Sequence, residues 1–522
     1  MNLGQKKALS LGVFNVSQTL IWLISVISTL EIEMQSQPQS QPMSPPGKKM
    51  VSRAIALILL VVGVGVGAGI TYASLLAGGQ FNSGLCASGR TLQIGLLTDK
   101  TSDLKSQGVR AAYAAQQAIT DINTYLSNAG CNLKFGVSVS DYQLDASIAL
   151  TDLQNFASAG VQVVVGPLNS GALQNLITYA DSNHIVVISP SSTSAALAIA
   201  ESPTKYYFRT APDDRWQGMA DARMIQAQGA NKLIVVQRHD TYGDALANAT
   251  ALNFNYLVTN KAGTVDSSGC TASDTVCIIQ YDPKATDFTT TVTALFSGYS
   301  ALNATTSTNR VAIDSIAFEE FSQMIYQINA QHPSLLKGHL PGCNFGTSPV
   351  AGCTDSAGNP LTGQTSVWTG VDGQAQDTII SNNATSSGYF ASNRLPSTIY
   401  GFLNNTKAVA LDNLFPSISN GNVCDNYCRG TYDDMWLGAL ATVSAGAYSG
   451  TAIQAIMPTV AANYYGVTGW NGLDSNGDRV ANIYQVWKVV ASGSSYTWVY
   501  AGEWTADPTP NTAGTLDHFN PY

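Results

Sequence analysis

From residue 92 onward, short apolar runs of strand length alternate with stretches patterned for helices, and few architectures accept that order. Leu92–Leu97 is followed by Gln107–Leu126, in which Ala112, Ala115, Ile119 and Ile122 recur at helical spacing. Leu133–Val139 is a second strand candidate, and Ala149, Leu153, Phe156 and Ala157 mark a second helix. Val161–Val165 then precedes a helix marked by Leu173, Leu176, Ile177 and Ala180, and Ile185–Ile188 is again strand-like. Val161–Val165 is apolar except at Gln162, and its run of three valines fits a strand covered on both faces. The alternation restarts after Pro212, with Gln217–Gly229 helical, Leu233–Val236 a strand and Tyr242–Leu257 helical. Ser315–Phe318 and Thr365–Thr369 are further strand candidates. Strands separated by helices form parallel sheet. The expected fold class is therefore α/β, with two doubly wound parallel-sheet lobes.

Charge divides the chain differently. The net charge is −9, yet residues 1–53 carry +3, which leaves −12 on the remainder. Between the two lies Ala54–Ala77, 24 residues without a charge. About 20 apolar residues cross a bilayer. Lys48, Lys49 and Arg53 on its N-terminal side place that end in the cytoplasm and the rest outside. The expected localisation is the cell membrane, single-pass, with the folded body extracytoplasmic. A cleaved signal peptide is the competing reading, but its apolar core is shorter, about 7–15 residues. The alternate glycines Gly63 to Gly69 lie inside this span and so are no dinucleotide fingerprint. An interrupted apolar stretch, Ala8–Leu30, is either a second membrane segment or sequence ahead of a later start at Met43 or Met50. The acidic body excludes nucleic acid as a partner.

All eight cysteines follow the span, which fits disulfides formed outside the cytoplasm. Eight cysteines permit 105 connectivities and the sequence leaves them open; neighbour pairing suggests Cys270–Cys277, Cys343–Cys353 and Cys424–Cys428, which leaves Cys86 with Cys131. Scattered histidines and the lack of a CxxC argue against zinc. Sequons at Asn248, Asn303, Asn383 and Asn404 fit an exported surface. Residues 338–364 and 378–395 are rich in turn formers and are expected to be loops. Asp474–Asp478 precedes the alternating run Ile483–Trp487 and is read as a hairpin turn. An EF-hand is excluded there, since Gln485 occupies the twelfth loop position.

Open α/β sheets bind ligands beyond the carboxyl ends of their strands. Gly166–Ser170 follows Val161–Val165, and a helix starts near Ser170, offering a hydroxyl and free N–H groups to an anion. Ser189–Thr193, with Ser192 and Thr193, follows the next strand. In the second block the strand ends lead to Tyr242, Phe318 and Asp372. Hydroxyls and a helix start on one lobe, aromatics and one carboxylate on the other, suit a zwitterion with its ammonium on Asp372. Each residue also has a purely structural account: Ser170 as helix cap, Ser191–Thr193 as a turn, Tyr242 and Phe318 as core, Asp372-Gly373 as a turn.

No GxSxG, HExxH or P-loop is present, so no enzyme, catalytic residue or cofactor is expected. The adjacent acids Asp213-Asp214, Glu319-Glu320 and Asp433-Asp434 are read as solvated, because neighbours in a strand face opposite ways.

At three stretches the sequence resembles the substrate-binding proteins of branched-chain amino-acid ABC transporters, which are Leu/Ile/Val-binding-protein-like and have the type I periplasmic-binding fold. These are Ile94–Asn123, Val161–Leu197 with its GP-x-x-S and ISP-x-x-T, and Tyr207–Gly218 with FRTAP, continued in Leu233–Leu246. The resemblance is clear over about residues 91–260 and faint beyond. It implies two lobes joined by a three-strand hinge, with crossovers near Asp213, Gly401 and Gly469. It implies a ligand carboxylate on Ser170, Ser192 and Thr193, Tyr242 packing on the ligand, Asp372 binding the ammonium, and Phe318 lining the pocket. It departs from the family around Gln107, where an aromatic is common, and at Asp372, where Glu is frequent.

The expected organisation is an N-terminal segment 1–53, an anchor 54–77, a linker 78–90, a first lobe 91–212 with 403–470, and a second lobe 213–402 with 480–522. The expected function is an extracytoplasmic solute-binding protein of an ABC importer that captures a small amino-acid-like ligand. Its expected partners are the permease and ATPase subunits and, through the N-terminal helix, the membrane. A sensory ectodomain for an amide, urea or amino acid, or a surface-structural protein, is the alternative.

Overall fold

In the computed structural model the described residues are 84–198, 205–262, 265, 269–303, 309–336, 367–382, 386, 395–402, 405–480, 483–493, 495–507 and 514–520. The expected anchor, the loop 338–364 and the pair Cys343–Cys353 lie outside them. Among the described residues no helix is long and apolar enough to cross a membrane.

Five parallel strands form the first sheet: β1 (Thr91–Thr98), β2 (Lys134–Asp141), β3 (Val163–Val165), β4 (Val186–Ser189) and β5 (Tyr207–Arg209), in the order β2-β1-β3-β4-β5. Helices α1 (Lys105–Asn128), α2 (Ala146–Ser158) and α3 (Ser170–Asn183) connect them. Successive residues of β3 serve both faces. Val163 and Val165 pack with Ile94, Leu96 and Ile188 on one side, and Val164 joins Leu97, Val187, Leu173 and Leu176 on the other. That two-sided burial is why these strands read as continuous apolar runs.

The second sheet repeats the plan. Strands β6 (Lys232–Arg238), β7 (Val276–Tyr281), β8 (Val311–Ile316), β9 (Val367–Gly370) and β10 (Ser397–Tyr400) lie in the order β7-β6-β8-β9-β10. Antiparallel strands β11 (Ile483–Ser492), β12 (Ser495–Thr505) and β13 (Thr515–Asp517) extend it beyond β10. Helices α4 (Asp214–Ala227) and α5 (Thr241–Thr259) cover one face. Helices α6 (Thr289–Asn303) and α7 (Phe321–Gln331) cover the other. The strand expected over Ser315–Phe318 ends at Ile316, which leaves Phe318 on the loop beyond the sheet edge. A five-residue helix α8 (Thr378–Asn382) replaces the start of the loop expected over 378–395.

Between Tyr400 and Ile483 the chain forms helices α9 (Thr406–Ile418), α10 (Asn426–Ala445) and α11 (Gly450–Asn463); α10 and α11 lie on the first sheet, and α9 packs on α1 and α10. Helix α10 is pressed close to β3: a Cβ on Gly438 would lie 2.8 Å from Val163 Cγ1. The chain thus passes between the sheets three times, after β5, after β10 and before β11.

Buried ions tie these passages together. Arg209, at the end of β5, donates Nε and Nη2 to the two carboxylate oxygens of Asp478, each at 2.6 Å. Asp213 lies 3.5 Å from the same guanidinium. Arg479 donates to the carbonyls of Thr468 and Trp470 at 2.6 and 2.7 Å. Asp474 accepts from the N–H groups of Asn476 and Asp478, closing the turn expected there.

The adjacent acids are buried, which corrects the solvated reading. Asp213, Asp214, Glu319, Glu320, Asp433 and Asp434 are all inside. Asp433 shows why: it accepts from the N–H groups of Val467 and Thr468 and from the Tyr464 hydroxyl at 2.8–2.9 Å, so it organises a loop rather than facing water.

Three of the expected disulfides form: Cys86–Cys131, Cys270–Cys277 and Cys424–Cys428.

Candidate functional site

The cleft lies where the carboxyl ends of both sheets meet. In each sheet it adjoins the point where strand order reverses, between β1 and β3 and between β6 and β8. After β3 the chain turns at Gly166, whose φ is +91° and whose Cβ, if present, would lie 2.1 Å from the Leu97 carbonyl oxygen. Only glycine allows that approach. The next residues, Leu168, Asn169 and Ser170, line the cleft.

Asn169, not Ser170, is the N-cap of α3, and its side chain makes no capping hydrogen bond. Its Oδ1 instead accepts from the Tyr142 hydroxyl at 2.9 Å. The first N–H groups of α3 are left without a side-chain acceptor at the cleft wall, an arrangement that favours an anion. Ser170 Oγ accepts from the Ser194 N–H at 3.2 Å and can still donate.

The second hydroxyl segment is arranged differently from expectation. Ser191 lines the cleft, with its Oγ donating to the Leu168 carbonyl at 2.7 Å. Ser192 is turned into the protein, its hydroxyl bonded to Ser189 Oγ at 2.8 Å, and it braces the turn. Thr193 is fully buried beside the Asp214 carboxyl, outside the cleft lining. Arg209 fixes this turn by donating to the carbonyls of Ser192 and Ser194.

Tyr242, Phe318 and Asp372 of the second lobe all line the cleft. Tyr242 stands in the first turn of α5, whose N-cap Asp240 accepts from Tyr242 N and Gly243 N. Its ring stacks on Phe318 with centroids 5.3 Å apart and planes 19° from parallel. Arg238 lies 3.7 Å over the Phe318 ring and is held by Glu320 at 2.8 Å and Asp240 at 2.6 Å. Phe318 is thereby fixed by a phenol and a guanidinium.

Asp372 is buried and accepts at Oδ1 from the Tyr242 hydroxyl at 2.5 Å and from Gln217 Nε2 at 3.0 Å. Burial raises its pKa to about 6, although both hydrogen bonds favour the carboxylate. It can therefore be ionised near neutral pH and present a carboxylate to a cation.

Tyr427 of α10 completes the wall from the first lobe, and its hydroxyl donates to the Asp372 carbonyl at 3.4 Å. Sequence reasoning missed it. Fifteen of the twenty residues of α10 are buried, so the helix carries no amphipathic stripe to reveal it.

Direct bonds join the lobes beside the cleft. Ser106 Oγ and Gln107 Nε2, from the first turn of α1, donate to Asp377 Oδ2 at 2.9 and 2.8 Å. Ser106 N donates to Glu319 Oε1 at 2.9 Å, and Arg110 reaches the Gln376 carbonyl at 3.2 Å. The polar residues around Gln107 thus reach across to the opposite lobe.

Residues 91–297 match the family model described as periplasmic binding protein. A leucine-binding protein LivK from Thermotoga maritima superposes with a TM-score of 0.57 at 16% identity, covering 78% of this chain and 97% of that one. The branched-chain amino-acid transporter substrate-binding protein LivJ of Streptococcus pneumoniae, solved with isoleucine, gives 0.55 at 17%, covering 79% and 100%. The fold is the type I periplasmic-binding fold.

The resemblance to Leu/Ile/Val-binding proteins is borne out at this level. A solute binding protein of an ABC transporter from Rhodopseudomonas palustris, solved in complex with 3,4-dihydroxybenzoic acid, gives a TM-score of 0.54 at 13% identity, covering 80% of this chain and 99% of that one. An uncharacterized protein of Methanocaldococcus jannaschii is 25% identical over 466 residues, 83% of this chain and 97% of its own length.

Proposed function

We propose that this protein is the solute-binding component of an ABC importer and captures a small amino-acid-like ligand between its lobes. One observation carries the reading: an uncapped helix start at Ser170 and a buried, ionisable carboxylate at Asp372 line the same cleft. The ligand carboxylate would take the α3 N–H groups with the Ser170 and Ser191 hydroxyls. The ammonium would take Asp372, and the remaining body would pack on Tyr242, Phe318 and Tyr427. Bringing the lobes together removes water from these groups and strengthens each electrostatic contact. Opening about the three crossovers would admit and release the ligand.

The delivery partners would be the permease and ATPase of the importer. Ala54–Ala77 would hold the protein at the membrane, with the cleft on the extracytoplasmic side.

A thermal-shift screen of the full-length protein against amino acids, amides, urea and small carboxylates tests this, because a ligand that binds only the folded state raises Tm. The expected result is a shift with one or more amino acids, lost in Asp372→Asn. Shifts confined to amides, urea or benzoates would overturn the zwitterion reading.

A further inference from the structure

Behind Asp372 the second lobe encloses three more fully buried carboxylates: Asp214 and Asp221 on α4, and Asp314 in β8. Polar side chains connect Asp221 to the cleft. Gln217 Nε2 donates to Asp372 Oδ1 and, at 3.1 Å, to Thr398 Oγ1. Thr398 Oγ1 donates to Asp221 Oδ1, and Thr250 Oγ1 to Asp221 Oδ2 at 3.4 Å. Thr369 Oγ1 donates to Asp314 Oδ1 at 2.7 Å, while Asp314 Oδ2 has no partner.

Among the described residues no ion pair reaches Asp221, Asp314 or Asp372. The other titratable groups facing this set are the phenols of Tyr242 (α5), Tyr400 (β10), Tyr427 (α10) and Tyr484 (β11), which burial holds uncharged. Arg209 and Asp213 face Asp214 from the hinge side. Asp221 feels Asp314, and Asp214 feels Asp372, as a like charge.

Several carboxylates in one low-dielectric body, without matching cations, do not all ionise. They retain protons and titrate as a set. We propose that Asp214, Asp221, Asp314 and Asp372 form one proton-holding acid cluster, and that a cationic ligand group entering at Asp372 is exchanged for a proton released to solvent. The inference rests on reading Asp372 as the ammonium acceptor and adds the selectivity and linkage of that site. The ammonium supplies the positive charge the cluster lacks, so the proton leaves and the net charge of the floor is unchanged. A neutral isostere brings no positive charge to displace that proton, and an anionic group is repelled. Gln217, Thr398 and Asp221 act through Asp372 and are positioning residues.

Calorimetric titration of the full-length protein with L-leucine and L-lysine, in phosphate and in Tris buffer at matched pH, reads the exchange. The expected result is a buffer-dependent heat and an affinity that rises ~10-fold per pH unit for one proton released. Asp221→Asn should flatten that pH slope while amine binding persists. Amine binding with equal heats in both buffers would overturn the inference and leave the zwitterion reading intact. Binding of non-amines alone would overturn both. Infrared spectra of the unliganded protein give a readout that needs no ligand. A protonated-carboxyl carbonyl band at neutral pH, diminished in Asp221→Asn, is expected, and its absence would overturn the inference.

Discussion

Arg209 and Asp478 face each other across 269 residues of chain in a two-pronged pair, with both N–H···O distances at 2.6 Å and both side chains buried. The pair locks the first passage between the lobes to the third. Removing one partner of a buried ion pair costs about 3–5 kcal/mol, and Asp213, 3.5 Å from the same guanidinium, keeps the loss of Asp478 toward the lower end. Asp478→Ala is therefore expected to lower the unfolding free energy by about that much in chemical denaturation. A loss below ~1 kcal/mol would show that the pair does not brace the hinge.

Ser170 and Asp372 are expected to contribute unequally to affinity. Ser170→Ala removes one hydroxyl hydrogen bond to the ligand carboxylate and leaves the α3 N–H groups, so Kd should rise about 10-fold. Asp372→Asn keeps the shape and an acceptor for Tyr242 but removes the charge opposite the ammonium, so the loss should exceed ~30-fold. Isothermal titration with the best amino acid from the thermal screen measures both. Equal, small losses would place the ammonium elsewhere.

Glu319 gives the fold a pH signature. Burial, then the nearby Asp377 carboxylate, raises its pKa from 4.5 to about 8. A raised carboxylate pKa means the folded state keeps a proton that the unfolded chain gives up. The stabilising contribution is fully present below pH 4.5 and is progressively lost as pH rises from 4.5 through about 8. Glu319→Gln preserves an acceptor for the Ser106 N–H. It should melt higher than the parent above pH 8 and lose that advantage toward pH 4.5. Parallel melting curves at both ends would contradict the assignment.

The disulfides should rank by the loops they close. Cys86–Cys131 spans 45 residues, Cys270–Cys277 seven and Cys424–Cys428 four. Chain-entropy arguments give ~4 kcal/mol for the first and ~2 kcal/mol for the last. Double Cys→Ser variants, compared by denaturant midpoint, should fall in that order.

The strand–helix alternation was legible because burial on both faces of a parallel sheet demands unbroken apolar runs, and Val163–Val165 and Val186–Ile188 show it. Ser170, Tyr242, Phe318 and Asp372 were legible for a related reason: each lies just beyond a strand, where an open α/β sheet gathers its loops. Phe318 was found although its strand stops two residues earlier than expected.

What local pattern could not settle was which neighbours turn inward. Ser191, and not Ser192 or Thr193, faces the cleft, because Ser192 is drawn to Ser189 and the turn is pinned by Arg209 from the next strand. Tyr427 reaches the site on a helix that arrives over the first sheet after the chain has crossed the molecule twice. The adjacent acids were misread for the same reason. Asp433 and Asp434 look like solvated charges in one dimension, but Val467, Thr468 and Thr210, distant in sequence, supply their donors. By itself the sequence determined the layered α/β plan and the strand ends where a site can form, since both follow from periodicity along the chain. Only the tertiary structure decided which hydroxyl faces the cleft, which aromatic closes it and which carboxylates are buried, since each depends on partners far away in sequence.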